Sequence, residues 1–259
     1  MNSNLFSELW NRRSLLLLFA LNDVKARYRN SVLGFLWSFL EPLLMLSVLY
    51  VVFSNLFKNN IENYPIYLLL GLIVWYGFSR ATTFGLSSLT AKSGIISRIY
   101  FRREIVVVSS TLTAFIMMGF EFIAFAIFVI AFHFTPSLTT VFLPLLLIDL
   151  FILSTGVSLF LAVLNVRFRD IQFIWQILLQ AGFFLSPIIY QPKIIPEHLR
   201  QIFEINPLVP MIETAHNLVL YGHFPSLVMT AYITIVTGFV FVIGYITFKI
   251  KGKNIVEEL

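Results

Sequence analysis

An all-α integral membrane protein with six transmembrane helices is the fold class this sequence predicts, and three observations carry it. The 259 residues are 58% hydrophobic and only 12% charged, with a mean hydropathy of +0.87, whereas soluble domains carry about 25% charged residues. The apolar residues come in long blocks rather than in periodic stripes, and blocks of about eighteen or more read as bilayer spans. Those blocks do not alternate between apolar and polar positions, which argues against a transmembrane barrel.

Residues 1–32 form a first, separate piece. Within 3–29, Leu17, Leu21, Val24 and Tyr28 fall on one helical face, and Asn22, Lys25 and Arg29 on another. This is the pattern of an amphipathic helix lying along the cytoplasmic interface. It serves either as a topology anchor or as a cuff beside a cytoplasmic partner. The apolar run 15–21 continues into charged residues instead of a small-residue cleavage site, so a cleaved signal peptide is not expected.

A transmembrane domain follows over 33–250, with apolar blocks at 33–57, 66–89, 105–132, 138–164, 171–189 and 227–250. Each approaches or exceeds the roughly 20 residues that a helix needs to cross the hydrocarbon. Residues 251–259 form a tail. Of the eighteen Lys and Arg, fourteen fall in the N-terminal piece, the loops after spans two and four, and the tail. Three fall in the opposite loops, and Arg80 lies within span two. The positive-inside rule then puts both termini in the cytoplasm. The +5 net charge reflects that topology and is no sign of nucleic-acid binding.

Two connecting segments are not plain loops. Residues 91–104 mix Ile95, Ile96, Ile99, Tyr100 and Phe101 with Lys92, Arg98, Arg102, Arg103 and Glu104. That mixture suits a short helix docking onto another protein; the alternative is an interfacial anchor with its arginines on lipid phosphates. Residues 190–225 are too apolar for a free external loop and too rich in proline to span. Two re-entrant extracellular helices between spans five and six, broken at Asn206 and Pro207, would bury them. Such backbone is tolerated only where protein or a water-filled cavity lines it.

Glu41, Arg80, Glu121 and Asp149 are ionisable groups inside spans, and such groups face a partner or a cavity. For Glu121 and Asp149 the expected role is hydrogen bonding between helices, with a proton relay as the alternative. No cysteine is present, which excludes disulfides and thiolate metal sites. The four histidines (His133, His198, His216, His223) form no ligand-spaced pair, so a metal site is not expected. No phosphate-binding loop occurs, so any ATP-driven work must borrow a partner's hydrolysis.

Three stretches in order, "ARYRNSVLGFLWSFLEPLLMLSVLYVVFSNLF", "NVRFRDIQFIWQILLQAGFFLSPIIYQP" and "INPLVPMIE", resemble the ABC-2 type permeases that export O-antigen, teichoic acid and capsular polysaccharide. The resemblance covers essentially the whole chain. Its motif residues are Arg27, Tyr28, Gly34, Glu41, Pro42, Arg167, Arg169, Asp170, Pro187, Asn206 and Pro207. One departure is Phe101-Arg102-Arg103, where the family commonly has Phe-Pro-Arg. The resemblance implies a transport subunit rather than an enzyme. It would work as a homodimer in the inner membrane of a prokaryote, moving lipid-linked polysaccharide with two separate ABC ATPase subunits, which would bind the ATP and Mg. No cofactor is expected in this chain, and its other contacts are with membrane lipids.

On that reading Gly34 permits the turn into span one, and Glu41 and Pro42 sit in its first turns, where proline costs little hydrogen bonding. Trp37, Trp75, Tyr76, Phe183, Phe184 and Tyr190 are candidates to line a sugar channel, with ring faces over which a polymer slides. Ile95, Arg98, Tyr100, Phe101, Arg102, Arg103 and Glu104 are candidates for coupling to the ATPase. Two rival readings are an ABC-2 permease for drugs or small lipids and a membrane-embedded glycan- or lipid-processing enzyme.

Overall fold

The computed structural model describes residues 11–29, 31–57, 61–96, 98, 101–194, 196, 203 and 206–252. Residues 3–10 of the expected interface helix, Ile99, Tyr100, most of 195–205 and the end of the tail lie outside the described residues. Within them the chain is all-helical. The helices are α1 (Arg13–Tyr28), α2 (Trp37–Phe57), α3 (Tyr64–Ala91), α4 (Ser93–Ile96), α5 (Glu104–Ala131), α6 (Leu143–Arg167), α7 (Ile171–Leu185), α8 (Leu208–His216) and α9 (Leu227–Lys251).

Five of these, α2, α3, α5, α6 and α9, are long and apolar enough to cross a membrane. The fifth apolar block behaves differently. Helix α7 has 15 residues, a length of about 22 Å at 1.5 Å per residue, against a hydrocarbon core of about 30 Å. The chain leaves the helix at Ser186, in extended backbone, and Pro187 follows.

Helix ends follow local chemistry. Ser226 accepts a hydrogen bond from the Met229 N–H at the start of α9, while Lys249 and Lys251 occupy its last turn, where cations suit the helix dipole. Pro65 and Pro144 stand in the first turns of α3 and α6, where the missing N–H would be unpaired in any case. Between α1 and α2 the backbone turns at Gly34, with φ of +49°, a conformation that glycine adopts without steric cost.

Helix α3 is the centre of the bundle, packed against α2, α5, α6, α7 and α8, and α9 joins through α6. The α3–α6 seam is closed by polar groups: Ser158 donates to the Ala81 carbonyl at 3.2 Å and Asn165 to the Leu86 carbonyl at 3.3 Å. A Cβ at Gly85 would collide with the Ser158 side chain, the close approach that small residues allow between membrane helices.

Helix α1 lies against α5 through Leu16, Ala20 and Val24. Leu17 and Leu21, expected on the helix's one apolar face with Val24, are exposed instead. The small Ala20 at the contact turns the inner face by one residue, so α1 is apolar on two sides, one toward protein and one away from it. Asp23 of this helix pairs with Lys92 at 2.5 Å.

Candidate functional site

A groove of about 430 Å³ runs between α2, α3 and α7. Its walls combine Met45 and Leu49 from α2, residues of α3 from Trp75 to Phe84, and Leu179, Gln180, Phe183 and Phe184 from α7. The sequence-predicted aromatics Trp75, Tyr76, Phe183 and Phe184 meet there. Trp75 and Phe183 are buried and set edge to face at 5.9 Å, and Phe184 stands exposed beside Phe183 at 5.3 Å. Trp37 is exposed at the start of α2 and is not among the walls. Tyr190 lies beyond the end of α7, where its hydroxyl donates to the Phe184 carbonyl at 2.9 Å.

The polar side of the groove comes from helical spacing. Ser79 and Thr83 line it, and Ser87 continues the i, i+4 row along α3. Thr83 and Ser87 donate back to carbonyls four residues earlier, which lets a hydroxyl exist in a membrane helix. On α7, Gln172, Gln176 and Gln180 repeat the same spacing and all three are exposed. Primary amides have four hydrogen-bonding positions to satisfy, and lipid satisfies none. Four-residue spacing of amides inside an apolar block is the signal in the sequence by which the glutamine row can be found.

Arg80 also borders the groove. Its guanidinium pairs with Glu121 of α5, which is fully buried, and stands 5.2 Å over the Tyr76 ring. Two of the intramembrane ionisable groups thus meet each other, and the paired carboxylate of Glu121 has the inter-helix role expected of it. Asp149 is half-buried at an apolar cavity of about 360 Å³ between α6, α8 and α9, with the Thr234 hydroxyl 3.5 Å away.

The motif residues cluster where the chain changes direction. The Arg27 guanidinium sits 3.2 Å over the Phe84 ring, and Tyr28 and Ser38 share a hydrogen bond of 2.5 Å. Pro42 is buried inside α2 and Glu41 is exposed. Arg167 ends α6 with its guanidinium 5.6 Å over the Phe168 ring, and Arg169 and Asp170 form the exposed turn into α7. Tyr67 donates to the carbonyls of Pro187 and Tyr190 at 3.0 and 2.8 Å.

Asn206 accepts from the Leu208 N–H at 3.1 Å and donates to Ser186 at 3.4 Å, so with Pro207 it opens α8. His216, at the end of α8, stacks on the Tyr67 ring at 3.7 Å and donates from Nε2 to the Tyr67 carbonyl at 2.9 Å. Burial pushes its imidazole down to about 3, so the ring stays neutral and serves as a tie.

The 91–104 segment divides. Ile95 and Arg98 are exposed. Phe101 packs on Phe19 of α1 at 5.9 Å, Arg103 donates to the Gly252 carbonyl after α9, and Glu104 starts α5. Arg102 is half-buried. Part of the segment therefore clamps the two chain ends to the bundle, and part is presented outward. Among the described residues no group of His, Cys, Asp and Glu could hold a metal.

Residues 15–220 match the model of the ABC-2 type transporter family. The chain is similar to the O-antigen export system permease protein RfbA of Klebsiella pneumoniae, at 33% identity over 213 residues, 80% of this chain and 81% of that protein. It is similar also to RfbA of Myxococcus xanthus, at 28% identity over 221 residues, 85% of each. The polysialic acid transport protein KpsM of Escherichia coli is 26% identical over 239 residues, 90% of this chain and 92% of that protein.

Proposed function

The chain belongs to the ABC-2 type transporter family, and from that premise we propose that it is the permease subunit of an ATP-driven exporter of lipid-linked polysaccharide. The observation that carries the proposal is the groove between α2, α3 and α7, where five aromatic rings meet hydroxyl, amide and guanidinium groups on otherwise apolar helices. A hydrophilic polymer left in lipid loses several kcal/mol for each unpaired hydroxyl, about 2–7 by transfer measurements. The groove offers both acceptors and ring faces. Stacking on rings is weak and tolerant of sequence, as in single-strand nucleic-acid binders, and suits a polymer that must keep moving.

In this reading two copies of the chain face each other and close the groove into a channel. The exposed glutamine row of α7 supports this, since those amides then meet water, sugar or the second copy. Residues 1–32 form the interface helix and 33–250 the six-span domain, with α7 and the turn after it as the fifth crossing. The segment 190–225 forms the re-entrant lid, and 251–259 a cytoplasmic tail. Both termini are cytoplasmic, in the inner membrane. Ile95 and Arg98, with Tyr100 and Arg102, meet the separate ATPase subunits, which bind the ATP and Mg.

The test is export of surface polymer. With Trp75→Ala and Phe184→Ala combined, the complex assembles with its ATPase while export falls; unchanged export sinks the channel reading. The purified chain alone hydrolyses no ATP. Charge reversal at Arg98 and Arg102 lowers transport-linked hydrolysis or releases the ATPase while insertion persists; unaltered copurification and activity would make the segment a lipid anchor. The small-lipid or drug reading predicts instead that the aromatic variants leave surface polymer intact.

A further inference from the structure

The carboxylate of Asp149 is out of place on the helix that carries it. Helix α6 has 25 residues, about 37 Å at 1.5 Å per residue, against a hydrocarbon core of about 30 Å. Asp149 stands about 9 Å along it from Leu143, and so just inside the hydrocarbon. An ionisable group at that depth calls for a partner or a cavity. Glu121 has Arg80, whereas Asp149 has no cationic side chain at ion-pair distance among the described residues. Its hydrogen bond from the Thr234 hydroxyl is 3.5 Å long, beyond the about 2.5–3.0 Å of an ordinary O–H···O bond.

The cavity beside it is the second observation. Its volume of about 360 Å³ lies between α8 and the first turns of α6 and α9. Leu145, Leu146, Leu218 and Ile233 make its apolar wall, and Asp149, Thr214 and Thr230 are its polar groups within the helices. The Thr230 hydroxyl donates to the Ser226 carbonyl at 3.1 Å, so its oxygen keeps a lone pair for another donor. Leu145 and Leu227 line the cavity and are exposed, as are Val228 and Ile235 of α9. The cavity thus opens on an apolar surface of the kind that lipid covers.

We propose that this cavity holds an aminophospholipid of the surrounding membrane, with its primary ammonium on Asp149 and an acyl chain along the apolar wall. Donors and acceptors decide the headgroup. A primary ammonium is a cation with three N–H donors, and the cavity offers it a carboxylate and a hydroxyl oxygen. The pair neutralises the charge that α6 leaves alone in hydrocarbon. A choline-type ammonium has no N–H to give, and an anionic headgroup would bring like charge to the carboxylate. On the topology proposed above the site lies in the outer leaflet. It is separate from the groove of α2, α3 and α7, so its lipid belongs to the fold and not to the cargo.

Binding is measured on the purified full-length chain in detergent, by native mass spectrometry, with four lipids that share their acyl chains. These are phosphatidylethanolamine, its N,N-dimethyl form, phosphatidylcholine and phosphatidylglycerol. Phosphatidylethanolamine binds about tenfold more tightly than phosphatidylcholine or phosphatidylglycerol, a factor equal to about 1.4 kcal/mol, with the dimethyl form between. Asp149→Asn, nearly isosteric, lowers phosphatidylethanolamine to the level of phosphatidylcholine. The variant keeps the wild-type Tm in phosphatidylcholine but loses the rise in Tm that phosphatidylethanolamine gives the wild type. Thr230→Val keeps the shape and weakens binding about threefold, the scale of one neutral hydrogen bond. If Asp149→Asn does not purify, the lipid series on the wild type and Thr230→Val decide the matter. Equal binding of all four lipids overturns the proposal and leaves an unselective apolar cavity. An undiminished preference for phosphatidylethanolamine in Asp149→Asn overturns it too, and makes Asp149 a tie between α6 and α9. Displacement of the lipid by equimolar phosphoethanolamine would assign the site to a soluble amine. None of these results reads export, so the channel reading stands or falls separately on the aromatic variants.

Discussion

Helices α3 and α9 are both long and apolar enough to cross a membrane, yet 78% of the most apolar stretch of α3 is buried within the chain and only 17% of that of α9. The more buried helix is also the less apolar of the two. Lipid rewards apolar surface and tolerates nothing else, so an outer helix must be apolar nearly all round. An inner helix is surrounded by protein and is free to carry glycine, hydroxyls and even a paired charge. Arg80, Thr82, Gly85 and Ser88 are all on α3. Hydropathy therefore marks what faces lipid, and the departures from it mark what faces protein or a passage.

The comparison breaks most severely where α9 does touch its neighbour. Gly156 of α6 and Gly244 of α9 approach so closely that a Cβ on Gly156 would fall 2.6 Å from the Cα of Phe241, and one on Gly244 would collide with the Gly156 carbonyl. Both obstacles are backbone, which has no rotamer to yield. Gly244→Val separates the two helices, and the protein is lost from the monodisperse fraction in detergent. Gly238→Val on the same helix is the control: nothing lies within 4 Å of a Cβ there, and the yield and Tm match the wild type.

Next in size is the charge inside α3's surroundings. Glu121→Ala leaves the Arg80 guanidinium buried without its counter-ion, and breaking one side of a buried pair costs about 3–5 kcal/mol. Thermal unfolding of the variant occurs at a markedly lower temperature. Adding Arg80→Gln to Glu121→Gln recovers most of the loss. If the double substitution is as unstable as Glu121→Ala, the pair's geometry, and not its charge balance, holds α3 to α5.

A smaller effect is expected at the α8 end of α3. Tyr67→Phe keeps the ring stacked on His216 but deletes the hydroxyl that serves the Pro187 and Tyr190 carbonyls. Removal of such a buried donor costs about 1–3 kcal/mol. Limited proteolysis reports it as faster cleavage after α7, while the rest of the bundle keeps its protection. Unchanged cleavage would mean that the Tyr64 hydroxyl, 3.1 Å from the Ile189 carbonyl, holds the turn alone.

These outcomes bear on what the sequence could reveal. Five long helices were legible because lipid imposes length and apolarity on each one separately. The turn at Gly34 and the start of α8 after Asn206 and Pro207 were legible for a similar reason, since backbone chemistry there is local. Glu121 and Arg80 could each be flagged as needing a partner, but pairing residues 41 positions apart is a tertiary fact. The inner face of α1 is not legible in the sequence because Leu16 and Leu17 are equally apolar, and only the contact with α5 at Ala20 decides between them. Trp75, Tyr76, Phe183 and Phe184 stand out in the sequence as rings near polar breaks. Their convergence with Gln180 and Arg80 needed the packing of α7 against α3.

The least disruptive change is the most informative about the difference between outer surfaces. Helices α7 and α9 both leave most of their side chains exposed, but α9 shows Ile235, Phe239, Val242 and Ile246, whereas α7 adds Gln172, Gln176 and Gln180 to its apolar residues. If both surfaces met lipid, replacing an amide by an isobutyl group would stabilise the protein, because an unpaired amide in hydrocarbon costs several kcal/mol, about 2–7. If the α7 surface meets water or polymer, Gln176→Leu with Gln180→Leu leaves stability within about 0.5 kcal/mol, the usual range for exposed substitutions. Export then falls as the passage loses its amides. Ile235→Ala on α9 changes neither quantity. A clear rise in Tm for the glutamine pair, with export intact, would assign the α7 surface to lipid and move the passage to another face of α3.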